Sequence, residues 1–129
     1  MATDFDAKVF RIMIRFLIKA AQEKRFVIYS DFEQIFSLSH NMTSYYAGKI
    51  GEFCKDNNLP LLNSLLVNSI TGVPAKNSGV YPTAGNKTWG QVIQHCFTTC
   101  HVPGKDRKKA WGLMEGINDA VESWVANNG

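Results

Sequence analysis

The run Leu59 to Pro74, LPLLNSLLVNSITGVP, constrains this chain more than any other stretch. It is the longest apolar run that lacks a helical period. Pro60 opens it and Thr71-Gly72 closes it, the pattern of a buried strand running into a turn. A lone strand leaves backbone donors and acceptors unpaired, so it needs a partner. The nearest candidate is Ser78-Gly79-Val80-Tyr81, just before Pro82, which predicts a short hairpin from about Leu61 to Tyr81. Sequence before the run, and sequence after about Thr88, reads as helical. The expected fold is a single α+β domain over residues 1–129, mainly helical, with about five helices around one short antiparallel hairpin.

The first helix is expected from Asp4 to about Lys24, with Thr3 or Asp4 as its cap. Phe5, Val9, Ile12, Phe16 and Ala20 follow helical spacing and form the expected inward face. Met13 and Leu17 widen that face, and Ile14 and Ile18 lie off it, so this helix is central or meets a second surface. Arg11, Arg15 and Lys19 repeat every four residues as a basic stripe. Such a stripe is either a solvated face or an anion-contacting one. Phe26-Val27-Ile28 reads as a short extended segment. Ser30 and Glu33 fit a capping box, which predicts a short helix from Asp31 to about Ser37 burying Phe32, Ile35 and Phe36. A third helix is expected from about Met42 to Asp56, capped by Ser39 or Asn41, with Met42, Tyr46, Ile50, Phe53 and Cys54 inward. Gly48 and Gly51 in its middle point to close approach by another backbone. Asn57-Asn58 and Pro60 end it. Asn86 or Thr88 caps a fourth helix from about Trp89 to Thr99, and Asp106 a fifth that runs to about Ala126.

Charge and cysteine content narrow the function classes. The net charge of +3 permits contact with nucleic acid or an acidic protein surface. The acidic N-terminus is unlike a secretory leader, and no apolar run approaches a membrane span. A cytoplasmic protein without membrane contact and with three reduced thiols is the expectation.

The middle of the chain has the element order of a helix-turn-helix with a wing. The outer face of its second helix would offer Thr43, Ser44, Tyr45, Lys49, Glu52 and Lys55, and the wing tip would bring Lys76 and Asn77 to phosphate. The same order is also that of plain compact packing. Tyr29-Ser30-Asp31, Gly48-Lys49-Ile50-Gly51-Glu52, Leu59-Pro60, Leu65-Leu66-Val67-Asn68 and Thr71-Gly72-Val73-Pro74 resemble a pattern of glycine pair with glutamate, L-P, L-V-V-N and T-G-x-P-G found in small bacterial and phage proteins. The resemblance covers about Val27 to Pro74 and implies no activity. Ala75 stands where the pattern has its last glycine. The element order is also similar to the DNA-binding half of alkylguanine-DNA alkyltransferases and alkyltransferase-like proteins. Pro60-Leu61-Leu62-Asn63 replaces their P-C-H-R segment, so methyl transfer is not implied.

His95-Cys96-Phe97-Thr98-Thr99-Cys100-His101 offers thiols and imidazoles on one helix, with Cys54 and His40 remote. This spacing matches no common zinc pattern, so no metal and no cofactor are expected. Asp31, Glu33, Glu52 and His40 could meet in space, but no catalytic motif ties them together, and an enzyme is not the expectation. Lys105-Asp106-Arg107-Lys108-Lys109 puts four cations at the start of the last helix, either solubilising it or contacting phosphate. The expected function is a small nucleic-acid-binding module of winged-helix type, for DNA ahead of RNA, using Arg11, Arg15, Lys19, Ser44, Tyr45, Lys49, Lys76, Asn77, Lys105, Arg107, Lys108 and Lys109. The rival expectation is a phage or mobile-element protein that binds and inhibits a host defence protein.

Overall fold

The computed structural model describes residues 6–73, 88–100 and 117–128. Helix α1 is Ala7–Gln22, strand β1 Val27–Ile28, helix α2 Tyr29–Ile35 and helix α3 His40–Asp56. A 3-10 turn over Leu62–Leu65 leads into strand β2, Leu66–Val67, and helices α4, Trp89–Cys100, and α5, Ile117–Asn128, follow. The mainly helical α+β class holds.

The expected antiparallel hairpin does not. β2 pairs in parallel with β1, Val27 opposite Leu66 and Ile28 opposite Val67. Parallel neighbours need a crossover of a dozen or more residues, and α2, α3 and the 3-10 turn supply it. Leu62–Leu65 coils because the Ser64 amide turns back onto the Leu61 carbonyl at 3.0 Å, leaving two residues of the apolar run extended. The turn expected near Gly72 is present. Asn68 Oδ1 accepts from the Ile70 and Thr71 amides at 2.8 and 3.2 Å, and the Gly72 amide donates to the Asn68 carbonyl at 2.8 Å. Gly72 takes a φ of +73°, where a side chain would be strained. The proposed second arm, Ser78 to Tyr81, lies outside the described residues.

Three helices start on a local signal. Asp6 caps α1, its carboxylate accepting from the Lys8 and Val9 amides at 2.8 and 3.4 Å; the cap is thus later than Thr3 or Asp4. Ser39 caps α3 through the Met42 amide at 3.2 Å. Thr88 and Gln91 form a reciprocal capping box at α4, the Thr88 amide donating to Gln91 Oε1 and the Gln91 amide to Thr88 Oγ1. The Ser30-Glu33 box does not form. α2 begins at Tyr29, directly from the strand, so Ser30 lies inside its first turn and no side chain caps it.

α1 is the central helix, packed against the 3-10 turn, α3, α4 and α5. Its buried face is Phe10, Met13, Ile14, Leu17, Ile18, Ala20 and Ala21. The expected face built on Val9, Ile12 and Phe16 is therefore corrected. Val9 and Phe16 lie at its margin, and Ile12 is 53% exposed. Both sets satisfy helical spacing; the set around Phe10 wins because it meets three elements at once. Phe10 stacks on Trp124 of α5 with ring centroids 5.5 Å apart and meets Phe53 of α3 edge-on at 5.8 Å. Ile35, also expected inside, is exposed at the end of α2.

Candidate nucleic-acid interface

The solvent face of α1 is built from residues the core does not need. Lys8, Ile12, Arg15 and Lys19 are exposed at spacings of four, three and four, and Arg11 is half-buried beside them. At 100° per residue all five fall within one third of the helix circumference. No carboxylate occurs in α1 between Lys8 and Lys19. None of the four cations forms an ion pair among the described residues. Glu23, one turn beyond Lys19, pairs instead with Arg25 at 2.7 Å. That hydrogen bond and charge hold the Glu23 carboxyl below its usual range.

The outer face of α3 is less basic than its sequence implied. Thr43 is buried, its hydroxyl donating to the Ser39 carbonyl at 2.9 Å. Ser44 is half-buried and lies 2.7 Å from the Tyr29 hydroxyl. Burial raises the Tyr29 pKa despite that hydrogen bond. Tyr45 is exposed, as expected. Lys49 is held in place: its ammonium lies 3.6 Å from Glu52, 5.7 Å from the Tyr45 ring centre and 5.9 Å from that of Trp124. With Glu52 and Asp56 among its exposed residues, this face balances cations with anions. Gly48 was expected to admit another backbone, but a Cβ there would meet nothing within 4 Å.

Lys76, Asn77, Lys105, Arg107, Lys108 and Lys109 lie outside the described residues, so the wing tip and the second basic run are not placed. Residue patterns missed two features. Lys8 belongs to the basic face, one turn before Ile12. His40 Nδ1 and Glu33 Oε2 sit 2.9 Å apart where α2 meets α3, so two of the four scattered catalytic candidates do come together. The His40 ring also lies 5.4 Å from that of Tyr29.

The thiols of the cluster lie inside the protein, and His101 lies outside the described residues. Cys54, Cys96 and Cys100 are free and buried, and Cys96 donates to the Leu61 carbonyl at 3.2 Å. Burial pushes the first two thiols up to about 12 and Cys100 to about 11. Among the described residues no three His, Cys, Asp or Glu side chains are placed to hold a metal ion, and no helix is long and apolar enough to cross a membrane. An open cleft of about 500 Å³ lies where α3 ends against α5, lined by Asp56, Asn57, Asp119, Ser123 and Trp124. Its two carboxylates disfavour a phosphate. No protein-family model matches the chain, and no similar curated protein or solved structure is found.

Proposed function

We propose that this protein binds nucleic acid, duplex DNA ahead of RNA, and does so without catalysis. The observation that carries this reading is the α1 face, with four cations and no acid along its length. Such a face attracts a polyanion and releases its counterions on contact, so affinity falls linearly with salt on a log scale. The helix-turn-helix order of α2 and α3 agrees with it. With Lys49 engaged internally, α3 contributes Tyr45 and Lys55 more than a row of cations.

Fluorescence anisotropy with short duplexes over a salt series tests the proposal. Wild type is expected to bind at low salt. Arg15→Ala with Lys19→Ala should flatten the log–log slope by roughly 1.8, about 0.9 for each phosphate that is no longer neutralised. The thermal midpoint should barely move, because both side chains are already exposed. Absence of binding to DNA and RNA at low ionic strength would overturn the proposal.

A second reading, inhibition of a host defence protein carried by a phage or mobile element, draws on the surface aromatics. Phe26 is 43% exposed, with Trp89 and Phe97 each at 5.7 Å centroid distance, and Ile28 is exposed two residues on. Contiguous apolar surface of this kind fits a protein partner better than a phosphate chain.

A further inference from the structure

The α1 face carries more than charge. Ile12 sits inside it, 53% exposed, with Arg11 adjacent, Lys8 one turn before and Arg15 nearly one turn after. The opposite side of the helix is locked into the core through Phe10, Met13 and Leu17, so α1 cannot turn Ile12 inward. A surface that contacts only phosphates has no use for an isoleucine among its cations. Building on the nucleic-acid reading, we propose that α1 is the helix that enters the major groove of duplex DNA, with Ile12 against the methyl group of a thymine.

Charge identifies the occupant as a polyanion. The isoleucine at the centre is matched best by a polyanion that presents an apolar group within reach of its charges. The major groove meets both conditions: it admits a helix, it is walled by phosphates, and the C5 methyl of thymine is its one apolar feature. Lys8 to Lys19 spans about 16 Å along the helix, long enough to meet both walls of a groove about 12 Å wide. Arg11 and Arg15 flank Ile12 and carry the donors that recognise guanine edges or phosphates. α3 is the weaker candidate for this place, since its exposed face is charge-balanced and its Ser44 and Lys49 are engaged within the protein.

The experiment separates this inference from the reading it rests on. The full chain selects duplexes from a random-sequence pool, and the preferred duplex is remade with uracil for thymine, which removes only the methyl groups. Wild type should bind the uracil duplex about fourfold more weakly for each methyl contacted. Ile12→Ser should bind both duplexes alike, at the weaker level. Its salt slope should equal that of wild type, because the same phosphates are neutralised. Its thermal midpoint should be unchanged, which removes misfolding as an explanation. If Ile12→Ser still discriminates thymine from uracil, another element reads the methyl and the inference falls. If wild type binds duplexes without sequence preference, or ignores the methyl, the groove assignment falls while nucleic-acid binding stands. If wild type binds no nucleic acid but binds vesicles containing phosphatidylserine, both readings fall and α1 is a membrane-surface helix.

Discussion

Gly48 stands in the middle of α3 with open space where a side chain would be. Glycine in a helix interior costs about 0.5–1 kcal/mol relative to alanine. Nothing in the surroundings returns that cost, so Gly48→Ala should stabilise the protein by about that amount, read as a higher urea midpoint. The three thiols give a pH signature at the same scale. An unfolded chain releases cysteine protons near the ordinary value of 9.0, whereas the native protein holds them to about 11 or 12. Between those values the unfolded state binds fewer protons than the native one, so stability falls as pH rises. Urea midpoints at about pH 8 and about pH 10.5 should show the fall, and Cys54→Ala should make it shallower. Burial of Cys54 was legible from its place beside Phe53 on the inward face of α3. The pairing of His40 with Glu33 was not. Only the bend between α2 and α3 brings these residues together across seven positions.

Three helices end in the same way. Lys24, Ser37 and Asn58 adopt φ of 53°, 53° and 56° after α1, α2 and α3. In each case the amide of that residue and the next one bond back to the last turn: Ser37 to the Gln34 carbonyl at 3.2 Å and Leu38 to the Glu33 carbonyl at 2.9 Å, for example. These are Schellman ends built without glycine. Leu38 and Leu59, the residues that follow Ser37 and Asn58, pack against the core and hold the turns in place. The left-handed region costs a non-glycine residue about 1–2 kcal/mol. Ser37→Gly should therefore stabilise α2 by about 1 kcal/mol, somewhat less after the added freedom of the unfolded chain is counted. Thermal denaturation checks this. The end of α3 was readable because asparagine tolerates this conformation and Pro60 follows. The ends of α1 and α2 carry no such residue, so their boundaries showed only as a loss of apolar period.

At the scale of the whole molecule, the helices were largely legible and the sheet was not. Caps and amphipathic faces are local, and α3 and α4 appear within two residues of where their patterns put them. A two-residue strand has no period, and its partner lies far along the chain. Val27 meets Leu66, 39 positions along the chain. The face of α1 was misjudged for a related reason. Ile12 satisfies helical spacing as well as Phe10 does, and only the arrival of Phe53 and Trp124 from distant parts of the chain decides which turns inward. The parallel pair has one more consequence, and it concerns time. Its strands can meet only after the chain between them has doubled back, so the ordering entropy of that closed loop must be met before the pair returns any stabilisation. A few backbone bonds between four residues thus record a late event. α2 and α3 can assemble on local contacts, whereas the ladder between β1 and β2, like the packing of α1 on α5, must wait for distant parts of the chain to close on one another.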